Sequence, residues 1–169
     1  ERLRADSIAR AASIARARAE EEARAKEDAA RRARLLEGSI LPRRRIVAYY
    51  GNPQSERMGI LGELPRDQLL THLRERVREW EQADPSTPVV PALHMIAVMA
   101  AGDPGRDGRY RVRMPDRVIQ RIIDLAADAN ALVFLDIQPG RSTVQDELPR
   151  LHPWLQRPTV HLALDPEWN

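Results

Sequence analysis

Ala131-Leu-Val-Phe-Leu-Asp-Ile-Gln138, running into Pro139-Gly-Arg-Ser-Thr143, decides the fold class. A short apolar run that closes on polar residues and passes straight into a helix-like segment reads as a buried strand of a parallel sheet. Three other runs repeat it: Ile46-Val-Ala-Tyr-Tyr50, Leu93-His-Met-Ile-Ala-Val-Met-Ala100 and Thr159-Val-His-Leu-Ala-Leu-Asp165. Amphipathic segments lie between them. One covers about Pro65 to Ala83, with Leu69, Leu70, Leu73, Val77 and Trp80 on one face. A second covers about Pro115 to Ala129 and would bury Val118, Ile119, Ile122, Ile123 and Leu125. A third opens at Thr143, the expected N-cap, with Ser142 as the alternative and Asp146 near the third helical position. Strands alternating with helices predict an α/β fold of four parallel βα units, adjacent in chain order.

The connections are unequal. Those leaving the first two strand ends, Gly51 to Glu63 and Gly102 to Gly108 onward, are long and rich in Gly, Pro, Asp and Arg. Those leaving helix ends are shorter. Long loops inside a compact domain are usually functional, and in barrels and open α/β sheets the strand-end face carries the ligand.

Outward from the repeats, the first 37 residues differ in kind. Glu1 to Glu37 is almost entirely Ala, Arg and Glu, which predicts a long charged helix. Its apolar positions (Leu3, Ile8, Ile14) sustain no heptad, so a solvated spacer is expected, with a coiled coil or partner-binding helix as the alternative. Residues 38–45 read as a linker and 46–169 as the βα domain. A closed eight-fold barrel takes about 250 residues, and the globular part supplies about half. Two readings follow: the first half of a (β/α)8 barrel, or a complete four-stranded open sheet. The strand-end loop Asp165-Pro-Glu-Trp-Asn169 favours the half barrel, with further strands after Asn169 and self-association through an open sheet edge as corollaries.

Of 169 residues, 27 are basic and 25 acidic, giving a net charge of +2. Acidic residues are interspersed with the arginines, and aromatics make up 4% of the chain; both argue against a nucleic-acid partner. Without cysteine, disulfides and thiolate metal sites are excluded. No apolar stretch is long enough for direct membrane insertion. The chain begins with Glu1, so a signal or anchor ahead of it is an expectation.

Strand alternation sorts the polar residues. Ala48, Tyr50 and Asn52 share a face if the first strand runs that far; Phe134, Asp136 and Gln138 share one on the third strand, and His161, Ala163, Asp165 and Glu167 on the fourth. The opposite faces (Val47; Val133, Leu135, Ile137; Val160, Leu162, Leu164) are what helices would cover. Asp165 and Glu167 lie about 6.6 Å apart along a strand, close enough for paired carboxyls of a hydrolase. The plainer alternative is that Asp165 accepts backbone N–H bonds while Glu167 is solvated. Asp136 and Gln138 would orient a sugar hydroxyl or share a proton with Asp165 across neighbouring strands; the alternative is a carboxylate that pins the Gly140–Thr143 turn, where Arg141 and the helix terminus suit an anion. His94 and His161 are satisfied core histidines or ligand contacts. No dense ligand motif supports a metal, and Asp103 with Asp107 is explained by a double turn.

Taken together, Tyr49-Tyr-Gly-Asn-Pro53, Met58-Gly-Ile-Leu-Gly-Glu63, Pro91-Ala-Leu-His-Met-Ile-Ala97, Phe134 through Val144 and Val160-His-Leu-Ala-Leu-Asp-Pro-Glu-Trp168 resemble a group of uncharacterised secreted or lipid-anchored proteins of high-GC bacteria. The resemblance covers about Ile46 to Asn169. It implies a (β/α) barrel similar in shape to glycoside hydrolases, an extracytoplasmic location and a lipoprotein signal ahead of the arm; it implies no proven activity. Chitinase-like barrels place an Asp-x-Glu at the end of the fourth strand, with the Glu as acid. Asp165 and Glu167 match its last two positions, whereas Ala163 stands where a further Asp would be, which sets substrate-assisted hydrolysis in question.

The expectation is therefore a cell-envelope or secreted protein, glycosidase-like, with Glu167, Asp165 and Asp136 as catalytic carboxylates. Tyr50, Asn52, His94, Gln138, Arg141 and His161 would bind a polysaccharide or other small ligand, with no cofactor or metal. The alternative is a noncatalytic glycan-binding or structural envelope protein, a reading the shortage of stacking aromatics favours.

Overall fold

The computed structural model describes residues 2–165. The chain divides into two units, Glu1–Arg43 and Arg44–Asn169. The first consists mainly of one helix, α1 (Arg2–Leu36). Its described side chains from Ala12 to Arg34 are exposed, Ile14 among them. Residues of high helix propensity hold such a segment helical without burying a face. Gly38, at φ 81°, follows its end.

The second unit runs β1 (Arg45–Gly51), α2 (Ile60–Glu63), α3 (Arg66–Ala83), β2 (Val89–Ala100), β3 (Arg111–Arg113), α4 (Asp116–Asp128), β4 (Leu132–Ile137), α5 (Val144–Leu155) and β5 (Val160–Leu164). It is an α/β fold whose four long strands pair in parallel in the order β1-β2-β4-β5, with β1 and β5 at the edges. The four apolar runs thus form adjacent parallel strands, as their spacing predicts.

One face of this sheet is the core. Leu93, Met95 and Ala97 of β2 join Val133, Leu135 and Ile137 of β4 and Val160 of β5 against Leu69 and Leu73 of α3, Ile119 and Ile122 of α4 and Leu151 of α5. Burying a full Leu or Ile side chain is worth roughly 1.5–3 kcal/mol, so this layer holds the helices in place. Ala48, Tyr50, His94, Phe134, Asp136 and His161 lie on the opposite face, where among the described residues of this unit no helix of the core packs. Helices therefore cover one side of the sheet, and the polar residues occupy the other. Leu164 departs from the pattern: it lies at the β5 edge and is exposed.

Both long strand-end loops contain structure that hydropathy did not reveal. The loop after β1 holds α2, and the loop after β2 holds β3, which pairs antiparallel with the end of β2. β1 also stops at Gly51, so the strand does not persist to Asn52. There the chain folds back on itself: Asn52 N–H donates to the Met58 carbonyl at 2.8 Å. A Cβ on Gly51 would lie 2.5 Å from the Met58 oxygen, and one on Gly59 2.5 Å from the Tyr50 oxygen. Both glycines have positive φ. Only glycine permits two backbones this close in that conformation.

Candidate functional site

Register places four rings in one transverse row. Tyr50 lies beside His94, His94 beside Phe134, and Phe134 beside His161. Ring centroids are 5.0 Å apart for the edge-on Tyr50–His94 pair, 5.7 Å for His94–Phe134 and 5.4 Å for Phe134–His161. These spacings fall in the favourable range for aromatic pairs. Parallel, in-register pairing produces the row, because each strand contributes a ring at the same height.

The carboxylates and the amide sit one pleat closer to the strand ends. Asp136 is level with Ile96 of β2 and Ala163 of β5, on the same face as the rings. Its side chain is 4% exposed, and its Oδ1 lies 3.9 Å from His94 Nε2. Gln138 is buried just past β4 and ties three strands together. Its Oε1 accepts from the Ala100 N–H at 3.2 Å, while its Nε2 donates to the Tyr50 hydroxyl at 3.2 Å and to Asp165 Oδ2 at 3.3 Å. The Tyr50 hydroxyl is pushed above its usual pKa, by burial first and then by the charges of Asp136 and Asp165, with the Gln138 hydrogen bond acting the other way. Both carboxylates are therefore close enough to be felt at one phenol. His94 Nε2 and His161 Nε2 are buried with no hydrogen-bond partner.

Six of the residues singled out by sequence converge here: Tyr50, His94, Asp136, Gln138, His161 and Asp165. Asn52 is placed otherwise. It is buried with its Nδ2 3.4 Å from the Met99 sulfur and its Oδ1 accepting from Gln54 N–H at 2.9 Å, so it pins the loop after β1. Arg141 stacks on Tyr110 at 4.2 Å and its backbone N–H donates to the Arg109 carbonyl, holding two loops together rather than reaching the ring row. Glu167 and Trp168 lie outside the described residues. Asp103 accepts from Gly105 N–H and Asp107 from Arg109 N–H, the double turn expected of them.

Sequence reasoning passed over the most heavily paired carboxylate in the unit. Glu147, in the first turn of α5, is 1% exposed. It accepts from Arg111 Nε at 2.7 Å, Arg113 Nε at 2.6 Å and Ser142 Oγ at 2.6 Å. Burial pushes its pKa up, but the hydrogen bonds from Arg113, Ser142 and Arg111 outweigh this and hold it at about 2. The available signal was the alternation in Arg111-Val-Arg113, which puts both arginines on one side of a short strand. Thr143 caps α5 as predicted, its Oγ1 accepting from Asp146 N–H.

No three His, Asp or Glu among the described residues come together as metal ligands. A cavity of about 430 Å³ lies on the helix side, between α2, α3 and α4, lined by Leu61, Leu64, Leu69, Ile122 and Leu125 and remote from this chemistry. Compared with protein-family models, curated proteins and solved structures, the chain finds no match in any of the three.

Proposed function

We propose that the polar sheet face is a glycan site of a glycosidase-like (β/α) barrel protein, secreted or held at the cell envelope. The observation that carries this reading is Gln138, which holds Tyr50 and Asp165 in place on the strand-end face that also bears Asp136. A site for a polyhydroxylated ring needs carboxylates as acceptors, rings as platforms and a fixed frame, and these residues supply all three. The sequence resemblance to barrel proteins of the bacterial envelope points the same way. Among the described residues no helix is long and apolar enough to cross a membrane.

In this reading Glu167 protonates the glycosidic oxygen, while Asp136 or Asp165 stabilises the positive charge growing at the anomeric carbon. Tyr50, His94 and His161 contact hydroxyls. The test is an activity screen of the protein against cell-wall and plant polysaccharides, alongside Glu167→Gln and Asp136→Asn. Each variant is expected to lose about 10²–10⁴-fold in turnover with an unchanged circular dichroism spectrum. Turnover untouched by both substitutions removes Glu167 and Asp136 from the reaction.

A noncatalytic glycan-binding role is the second reading. One observation favours it: Asp165 Oδ2 already accepts from Gln138, an arrangement suited to a fixed acceptor. Binding without turnover of any polysaccharide would decide for it.

A further inference from the structure

Asp136 stands out among the acidic side chains of the sheet for how little the described residues offer it. It is a carboxylate with a side chain 4% exposed, in the middle of a sheet. Among the described residues it accepts no hydrogen bond, and its one charged-group neighbour within 4 Å is the His94 imidazole at 3.9 Å. Its oxygens keep access to solvent, so a ligand cation can reach a charge that no arginine already holds. The contrast with Glu147, which is equally buried and clasped by two arginines and a serine, shows what satisfaction looks like in this same chain.

The surroundings narrow the kind of partner. His94 Nε2 is buried and lacks a hydrogen bond. At 3.9 Å the His94–Asp136 gap allows one ligand atom to sit about 2.9 Å from both. One pleat below runs the ring row, with Phe134 on the same strand as Asp136 and Tyr50 half-exposed at its end. Aromatic faces beside an uncompensated carboxylate are the chemistry that receives an organic cation, by charge from the carboxylate and quadrupole attraction from the rings.

We propose that this face binds a protonated primary amine at Asp136, and that the glycan it takes is therefore a de-N-acetylated amino sugar. The second clause rests on the glycan reading above; the first does not. The ammonium donates to Asp136 and lies against Phe134, while the sugar hydroxyls meet Tyr50, His94 and the Gln138–Asp165 pair. An N-acetyl group in the same place would bring a neutral amide and leave the Asp136 charge without a counter-ion.

Titration calorimetry on the full chain tests it with three probes: a glucosamine oligosaccharide, its fully N-acetylated counterpart and an aliphatic diamine. The glucosamine oligosaccharide is expected to bind at least about tenfold more tightly than the acetylated one. Asp136→Asn should erase that preference, and Phe134→Leu should reduce it. Equal or tighter binding of the acetylated sugar, or a preference that survives Asp136→Asn, overturns the amine site while leaving a glycan face. Binding of the diamine with neither sugar bound sustains the amine site and overturns the glycan reading. No binding by any probe overturns both. If Asp136→Asn loses its fold by circular dichroism, the preference of the unsubstituted protein and the Phe134→Leu variant decide.

Discussion

Glu147 and Asp136 are both buried carboxylates, and their difference is the clearest residue-level lesson. Glu147 has two guanidinium partners and a hydroxyl, so its folded-state pKa of about 2 lies below the ordinary value of 4.5. A depressed pKa contributes stability that is present above about pH 4.5 and is lost as the pH falls toward 2. Glu147→Gln removes that contribution and leaves Arg111, itself nearly buried, with only the half-exposed Asp107 as counter-charge. The expected cost at neutral pH is about 3 kcal/mol, measured by denaturant unfolding, and the acid-side slope of stability should flatten. An unfolding midpoint indistinguishable from the parent would show that the cluster is replaceable by water. Sequence made Asp136 visible, because it ends an apolar run. It hid Glu147, because an acid in the first turn of a helix is ordinarily explained by the helix dipole.

At the scale of elements, hydrophobic period identified what periodicity governs. α3 and α4 begin and end within a residue of the limits their apolar stripes predict, and Thr143 caps α5. β3 was illegible for a physical reason: Arg111-Val-Arg113 carries no apolar run, and its strand conformation depends on pairing with β2 and on a carboxylate 34 residues away. The loop after β1 was legible as a loop but not as a folded one. Its shape rests on the close approach of Gly51 and Gly59, which positions the end of β1 and with it Tyr50. Gly59→Ala would place a methyl group 2.5 Å from the Tyr50 carbonyl oxygen at a φ of 90°. The expected loss is about 1–3 kcal/mol of stability. The Tyr50 phenolate titration should shift as well, since the ring no longer sits at the same distance from Asp136 and Asp165. A stable variant with an unaltered Tyr50 titration would mean that the loop accommodates the methyl group freely.

At the scale of the whole molecule, the described side chains of α1 from Ala12 to Arg34 are exposed, and among the described residues the core of the sheet domain draws on positions from Tyr49 to Leu162. Removing residues 1–43 is therefore expected to leave the thermal unfolding of the sheet domain unchanged to within a degree or two. A larger fall would assign the arm a stabilising role. The parallel order and the side of the sheet that carries the polar residues were both readable in advance, because a strand period of two and short helix-to-strand connections leave few alternatives. What joins the loops above the sheet was not readable, since it depends on buried ion pairs between segments far apart in sequence.

The Glu147 cluster ties the loop after β2 to the start of α5, and the Arg141–Tyr110 stack ties the same two loops again. A rim fastened twice holds these two loops in one arrangement above the ring row. Under the glycan reading, that part of the site is set before a sugar arrives, and little ordering entropy is lost there on binding.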